Sequence, residues 1–229
     1  MKLYALPPRI RGFIFDLDCT LYTHTLYARN QFEVLYARLA GKHGLSPEAM
    51  ETEVEKYRTD WSATHDGKKI SLGNAFVHFG VSITESVLWR EELIHPENYL
   101  TPDARLRETL SSLAGHAALA LVTNNPASTG RRTLAALGVL DYFATVIGLD
   151  TCGVSKPHRE PFQKALDALG LPVSSCVSVG DRYELDIALP LEMGMGGILV
   201  DGVADVYALP EELEARLDAS GLPCESSFT

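Results

Sequence analysis

The sequence predicts an α/β protein: a doubly wound parallel sheet with a Rossmann-like core and an inserted helical subdomain. From residue 101 onward, short apolar runs alternate with amphipathic segments, as in strands joined by right-handed helical crossovers. Residues 23–100 instead show helical periodicity and no convincing strand. We therefore expect a core domain of residues 1–22 and 101–229, and a helical cap domain of residues 23–100.

Composition narrows the classes of function and partner. The chain has 229 residues, 46% of them hydrophobic, which is enough to form a sizeable core. Its net charge of −10 argues against nucleic-acid polymers as partners. It still permits a small phosphorylated substrate, because a bound cation can reverse the local sign. The four cysteines show no metal-binding spacing, and no apolar run could span a membrane or act as a signal peptide. We expect a cytoplasmic protein with reduced thiols and no membrane partner; oligomeric state is not predicted.

The first core strand is the apolar run that begins at Ile10 and ends at Phe15. It is apolar on both faces, as expected of a strand in the middle of a parallel sheet. Asp16, Asp18 and Thr20 follow it directly. Burying unpaired carboxylates is unfavourable, and the carboxyl ends of parallel strands are where α/β proteins bind ligands. The pattern favours a cation bound between these carboxylates and a chemical task for one of them.

The insert begins with apolar residues at helical spacing through Leu39. A second helix is predicted from Ser46-Pro47 through Tyr57, because serine is a good N-cap and proline suits the first helical position. The polar stretch 64–69 is typical of a turn, and a further helix is predicted over residues 84–93.

The rest of the core is predicted in order. Thr101 should cap a helix that has Pro102 at its first position. The other predicted strands are residues 117–123, 145–149, 176–180 and 197–200. The other predicted helices begin at Asn125-Pro126 or cover residues 161–169, 184–193 and 211–217. Pro190 should kink or end the third of these, and the tail from Ser220 should be loose.

Polar residues recur where these strands end. Thr123 and Asn124 follow the second strand, Lys156 lies in the loop after the third, and Asp181 and Asp186 follow the fourth. Because the carboxyl ends of parallel strands meet at one edge of the sheet, we expect these groups to converge with those after the first strand.

Four segments, F-D-L-D-C-T-L-Y, L-V-T-N-N, S-K-P-H-R-E-P-F and V-G-D-R-Y-E-L-D, resemble in this order the four motifs of the haloacid dehalogenase-like superfamily. The resemblance covers roughly residues 9–22 and 100–200, and the insert lies where this superfamily carries its helical C1 cap. The L-Y after the first motif and the helical insert look like the subgroup that holds pyrimidine nucleotidases and phosphoglycolate phosphatases.

The resemblance implies two catalytic carboxylates and a metal. Asp16 is expected to be the nucleophile that forms an aspartyl phosphate, and Asp18 the general acid and then the general base. Asp16, Asp181 and the backbone carbonyl of Asp18 are expected to bind Mg²⁺, with Asp186 in support.

The resemblance also implies a phosphate site. Thr123 and the amide of Asn124 are expected to bind phosphate oxygens near a helix N-terminus, and Lys156 to offset the negative charge. Each residue alone has an ordinary interpretation, such as a turn aspartate, a strand-end threonine or a surface lysine. Their joint occurrence at successive strand ends favours the functional interpretation.

The predicted function is a Mg²⁺-dependent phosphatase that hydrolyses a small phosphorylated metabolite through an aspartyl phosphate. The alternatives are a phosphosugar mutase of the same superfamily and a catalytically idle binding protein. Some insert residues could contact the leaving group, although a solvated face is the preferred interpretation for the two lysines. These candidates are His24, His65, His78, Lys68 and Lys69. Arg159 is expected to be an exposed loop residue, and Cys19 to fill space or to make activity sensitive to oxidation.

Overall fold

A six-stranded sheet forms the centre of the fold in the computed structural model, which describes residues 1–67 and 69–220. Its strand order is β1-β6-β5-β2-β3-β4, with β1 antiparallel to β6 and the other neighbours parallel. The strands are β1 (Lys2–Tyr4), β2 (Gly12–Phe15), β3 (Ala118–Val122), β4 (Phe143–Ile147), β5 (Cys176–Gly180) and β6 (Gly196–Leu199). The predicted α/β class is confirmed.

The central strand β2 is buried on both faces, as its apolar sequence G-F-I-F predicts. Phe13 and Phe15 belong to the larger hydrophobic cluster on one side of the sheet. Ile14 belongs to the cluster on the other side, with Phe162 and Leu166. Because successive side chains point to opposite faces, β2 packs into the hydrophobic clusters on both sides of the sheet. This packing fixes the position of the residues that follow β2.

The segment between β2 and β3 is helical. Its helices are α1 (Thr25–His43), α2 (Pro47–Thr64), α3 (Leu72–His78) and α4 (Ile83–Leu93), followed by a one-turn 3-10 helix at Pro96–Asn98. They enclose a separate apolar cluster that includes Leu39, Met50 and Phe76. The insert also contacts the core directly: Ser155 Oγ lies 2.9 Å from Ser71 Oγ.

Helices cover both faces of the sheet. They are α5 (Ala104–Ala114), α6 (Ala127–Ala136), α7 (Leu149–Cys152), α8 (Arg159–Leu169), α9 (Ala188–Met193), α10 (Val203–Tyr207) and α11 (Leu209–Ser220). Short 3-10 helices lie at Leu140–Tyr142 and Val173–Ser175, and a π-helical turn at Tyr183–Ile187. Among the described residues, no helix combines the length and apolar character needed to cross a membrane.

Several predicted boundaries were wrong. Helix α5 begins at Ala104 rather than Pro102, because Asp103 and not Thr101 caps it, its carboxylate accepting from Leu106 N at 2.9 Å. Helix α2 continues past Tyr57 to Thr64. The predicted strand 145–149 begins and ends two residues earlier, at Phe143–Ile147. Neither β1 nor α3 was predicted from the sequence.

The break predicted at Pro190 lies upstream of it. The π-helical turn Tyr183–Ile187 runs directly into α9, and Pro190 is the third residue of α9. The tail beyond Ser220 and the residue Lys68, both named above, lie outside the described residues.

Candidate active site

Asp16 lies at the end of the central strand β2 and contacts a buried lysine. Lys156 Nζ lies 2.5 Å from Asp16 Oδ1 and 2.7 Å from Asp186 Oδ1, and each of the three side chains is at most 2% exposed. Thr20 Oγ1 lies 3.4 Å from the other Asp16 oxygen. Residues from the ends of β2 and β5 and from the loop after β4 therefore meet at one edge of the sheet, as parallel topology requires.

The charges at this edge have opposite effects on neighbouring carboxyls. Burial alone would raise the pKa of Asp16, but the Lys156 ammonium and the Arg182 guanidinium outweigh it, so that pKa lies below its usual value. Burial, and then the negative charge of Asp16, raise the pKa of Asp18. The surroundings thus favour the anionic form of Asp16 and disfavour the anionic form of Asp18.

Asp16, Asp181 and Asp186 form a carboxylate cluster. One oxygen from each can be chosen so that the three atoms lie within 4.8 Å of one another. Asp181 Oδ1 is buried without a hydrogen-bond partner, and burial together with Asp16 raises the pKa of Asp181 to about 7. Gathered carboxylate oxygens, one of them unsatisfied, are the ligand set that a hard divalent cation takes. The residues present therefore fit a Mg²⁺ site.

Gly180 makes room for this cluster. A Cβ placed on Gly180 would lie 2.4 Å from Asp186 Cβ and 2.7 Å from Asp186 Oδ2. The π-helical turn brings Asp186 back over the end of β5, where its Oδ2 also accepts from Arg182 N at 3.1 Å. Only glycine allows the carboxylate so close to the strand.

The Asp18 carboxylate is held by uncharged donors. Gln31 Nε2 donates to its Oδ1 at 2.9 Å, Asn125 Nδ2 donates to its Oδ2 at 3.0 Å, and the Tyr22 hydroxyl donates to its Oδ1. Gln31 and Asn125 are also joined, Asn125 Nδ2 to Gln31 Oε1, at 2.8 Å. Gln31 belongs to α1, so a side chain of the insert supports a carboxylate of the core.

The side chains of Thr123 and Asn124 form hydrogen bonds with backbone groups that follow the strands. Asn124 Oδ1 accepts from Lys156 N at 2.8 Å, and Asn124 Nδ2 lies 3.4 Å from Lys156 O. The Asn124 side chain thus fixes the loop that carries Lys156. Thr123 Oγ1 accepts from Asn125 N at 3.1 Å and is buried beside them. Because the Asn124 side chain is bonded to this loop, the phosphate contact predicted for Asn124 would be made by its backbone amide.

A cavity of about 350 Å³ lies between the insert and this edge of the core. Its core lining includes Asp18, Cys19, Asn124, Asp181 and Arg182. Cys19 has a positive φ of 63°, and burial together with Asp181 raises the pKa of its thiol to about 11. The thiol therefore stays protonated at neutral pH, which argues against the oxidation-sensitive role considered for it.

The insert residues considered for substrate contact are placed differently. His24 caps α1, accepting from Tyr27 N at 3.1 Å, His65 stacks on Trp61, and His78 stacks on Tyr57. None of these histidines lines the cavity, whereas Lys69 does. Arg159 is exposed, as expected, but it is the first residue of α8 rather than a loop residue.

Several polar residues that line the cavity were not predicted as site residues; they include Gln31, Arg58, Arg90 and Arg182. Arg182 directly follows Asp181 in the V-G-D-R motif, so its place beside the carboxylates could have been predicted from the sequence. Gln31 and Arg90 lie inside helices, and only the docking of the insert on the core brings them to the site.

Comparisons with known proteins agree with this geometry. A family model described as haloacid dehalogenase-like hydrolase matches residues 10–194. A phosphoglycolate phosphatase from Pectobacterium atrosepticum is 32% identical over 124 residues, which are 46% of this chain and about half (53%) of that relative. A glyceraldehyde 3-phosphate phosphatase from Methanocaldococcus jannaschii is 27% identical over 198 residues, 81% of this chain and 82% of the relative. A HAD phosphatase structure from Thermococcus onnurineus shares the fold, with a TM-score of 0.63 at 23% identity over 89% of this chain and 98% of that one.

Proposed function

Because the chain belongs to the haloacid dehalogenase-like hydrolase family, we propose that it is a Mg²⁺-dependent phosphatase that hydrolyses a small phosphomonoester. One observation carries the proposal: Asp16 and Asp18, two residues apart, have pKa values displaced in opposite directions. A carboxyl with a lowered pKa suits a nucleophile, and a neighbouring carboxyl with a raised pKa suits a general acid. The two relatives described above are both phosphatases, which supports the same activity.

In the proposed mechanism, an Asp16 oxygen attacks phosphorus and the bond to the leaving oxygen breaks. Asp18 gives its proton to that oxygen, and the alcohol departs. The Asp18 carboxylate then takes a proton from water as the water attacks the phosphorus of the aspartyl phosphate, which returns Asp16 unchanged. Lys156, Thr123 and the amide of Asn124 bind the phosphoryl oxygens.

Mg²⁺ would be held by Asp16, Asp181 and the backbone carbonyl of Asp18, with Asp186 in support. When bound, it offsets the negative charge of the phosphoryl group and of the carboxylates around it. Asp181 Oδ1, buried and without a hydrogen bond, supports this assignment.

We propose that residues 23–100 act as a cap domain on a core domain of residues 1–22 and 101–229. The separate apolar cluster of the insert supports this division, as does the cavity enclosed between the insert and the strand ends. A cap that covers the site excludes water from the reaction and contacts the leaving group. The cavity volume of about 350 Å³ suits a small phosphorylated metabolite.

The mutase and the idle protein remain the alternatives. An idle protein has no need for a buried Lys156 between two carboxylates, since removing such a network in favour of apolar packing is often stabilising. A mutase would move phosphate from one sugar hydroxyl to another without releasing it. The test is therefore the release of inorganic phosphate from nucleotides, sugar phosphates and phosphoglycolate with Mg²⁺. Phosphate transfer without release would favour the mutase.

Mg²⁺ binding should depend on pH, because the pKa of Asp181 is raised to about 7 from 3.8. Below that pKa the cation competes with a proton, so we expect the Mg²⁺ dissociation constant to be about 10-fold larger at pH 6 than at pH 8. The raised pKa also means that Asp181 stabilises the metal-free protein less as the pH rises through 7. Mg²⁺ should therefore raise the unfolding temperature more at pH 8 than at pH 6. Calorimetric titration and thermal unfolding measure both effects, and Asp181→Asn should remove them. A pH-independent dissociation constant would contradict the assignment.

Replacing Gln31 with leucine should impair proton transfer by Asp18 selectively. The leucine removes the 2.9 Å donor to Asp18 and the acceptor for Asn125. For an alkyl phosphate, whose leaving oxygen needs a proton, kcat/KM should fall by about 10- to 100-fold. For p-nitrophenyl phosphate, whose phenolate leaves without one, kcat/KM should change less than about threefold.

The matched control for this variant is Gln163→Leu, because Gln163 is exposed on α8 and bonds only to Asp167. It should leave both substrates unaffected. Equal losses on the two substrates in Gln31→Leu would show that Gln31 acts through the fold rather than through Asp18.

A further inference from the structure

Arg90 is a buried cation without an acidic partner. It lies on α4 of the insert and is 4% exposed. Its Nη1 donates to the Ser86 carbonyl at 3.1 Å and to the Ser86 hydroxyl, one turn earlier in the same helix. Among the described residues, no carboxylate lies within ion-pair distance of its guanidinium, and Nε and Nη2 form no hydrogen bond.

Such a residue is unusual, because a buried charge is normally paired. Lys156, which is also buried, has two carboxylates within 2.7 Å. Burial lowers the pKa of Arg90 to about 10, although the more distant charge of Asp18 opposes the shift, so the guanidinium is still charged at neutral pH. An apolar side chain would fill the same volume without this desolvation penalty. Packing alone therefore does not explain an arginine at this position.

The surroundings of Arg90 indicate what could pair with it. Arg90 lines the cavity, and the other charged residues that the insert contributes to that lining are Arg58 and Lys69, both basic. The insert as a whole has the opposite balance, with eleven acidic and eight basic residues between positions 23 and 100. The acidic lining residues, Asp18 and Asp181, both come from the core. Positive charge is therefore concentrated on the insert side of the cavity.

We propose that Arg90 binds a second anionic group of the substrate, a carboxylate or a second phosphate, while the core binds the phosphoryl group that is transferred. This inference rests on the proposed phosphatase function and narrows its substrate class. The planar guanidinium fits both kinds of anion through paired N–H donors, and those not used by Ser86 are available for it. The ligand would supply the missing counter-charge at the moment of binding.

Paired substrates that differ only in the second anion provide the first test. Wild-type protein should hydrolyse phosphoglycolate, or ethane-1,2-diol bisphosphate, with a kcat/KM about 10- to 100-fold above that for 2-hydroxyethyl phosphate. Arg90→Met should remove this preference and leave p-nitrophenyl phosphate hydrolysis within about threefold of wild type. Preference for phosphoglycolate over 2-hydroxyethyl phosphate would identify the second anion as a carboxylate, and preference for the bisphosphate would identify it as a phosphate. Equal values for all three esters in the wild type would overturn the proposal.

The matched control is Arg29→Met, because Arg29 also lies on the insert but is 75% exposed and pairs with Glu33. It should keep the wild-type preference. If Arg90→Met does not fold, Arg90→Lys retains the charge without the planar fork, and it should retain only part of the preference. A full preference in Arg90→Lys and Arg90→Met alike would also overturn the proposal.

Binding without turnover separates this inference from the proposed function. Wild-type protein should bind the carboxylate-bearing 3-phosphonopropionate about 10-fold or more tightly than propylphosphonate. Arg90→Met should bind the two phosphonates with equal affinity. If no ester releases phosphate but this binding difference is present, the phosphatase function fails and the Arg90 site stands. If phosphate is released and neither the binding nor the turnover shows a preference, the Arg90 site fails and the phosphatase function stands.

Discussion

Asp16→Asn should lower kcat by about 10⁴-fold or more, because the amide keeps the shape of the side chain but lacks the anionic oxygen that attacks phosphorus. The fold should survive, since Lys156 keeps its second partner Asp186 at 2.7 Å. Release of inorganic phosphate measures the first effect, and thermal unfolding the second. Asp141→Asn, an exposed substitution far along the chain, is the matched control and should behave as wild type. Activity within tenfold of wild type would exclude Asp16 as the nucleophile.

The path of solvent oxygen decides which chemistry Asp16 performs. In the proposed phosphatase, water attacks phosphorus, so turnover in heavy-oxygen water should label the released phosphate and leave Asp16 unlabelled. In a dehalogenase, water attacks the carboxyl carbon of an ester formed on Asp16, so the label would enter the aspartate. Mass analysis of the peptide that contains Asp16 distinguishes the two. Label in Asp16 would refute phosphoryl transfer.

Lys156→Met should abolish activity and also destabilise the protein. Lys156 Nζ lies 2.5 Å from Asp16 Oδ1 and 2.7 Å from Asp186 Oδ1, in an environment closed to water. Without the ammonium, two buried carboxylates face each other, and breaking a buried ion pair in this way costs about 3–5 kcal/mol of unfolding free energy. Thermal and denaturant unfolding measure the loss.

The dependence of that loss on pH and metal tests its cause. Removing Lys156 raises the pKa of both carboxyls, so the variant should be least stable above their new pKa values and recover as the pH falls and they bind protons. Mg²⁺ should offset part of the loss by replacing the missing positive charge. Lys56→Met on the exposed face of α2 is the control and should change stability little. A loss independent of pH and of Mg²⁺ would point to packing instead.

The residues at the carboxyl edge of the sheet could be predicted from the sequence because short, contiguous patterns mark them. An apolar strand of four to six residues that ends in aspartate is recognisable within one short window, and parallel strands then place their carboxyl ends at one edge of the sheet. In the structure, β2 and β5 are neighbours. Asp16, Lys156, Asp181 and Asp186 could therefore be placed together from the sequence. Strand β1 could not, because three largely exposed residues carry no periodicity and its pairing with β6 is decided at the other end of the chain.

The cavity lining was less predictable because it depends on how two packed units meet. Gln31 and Arg90 occupy ordinary helical positions, and neither lies in a motif. The hydrogen bond from Gln31 to Asp18 spans 13 residues and follows from the way α1 leaves the core and returns over it. The carboxylate cluster follows from strand order alone, whereas these contacts require the three-dimensional arrangement of the insert.

The Gln31–Asp18 hydrogen bond has a consequence for how such an enzyme can diversify. A lineage that acquired a new insert by recombination at residues near 22 and 101 would inherit the nucleophile intact but lose a donor to its proton-transfer partner. Recombinants would then lose activity mainly on substrates whose leaving oxygen needs a proton. New specificities should therefore arise more readily by point substitution around the cavity than by exchange of whole inserts. The insert and the core are separate segments of the sequence, but the insert supplies a hydrogen bond on which proton transfer by the core depends.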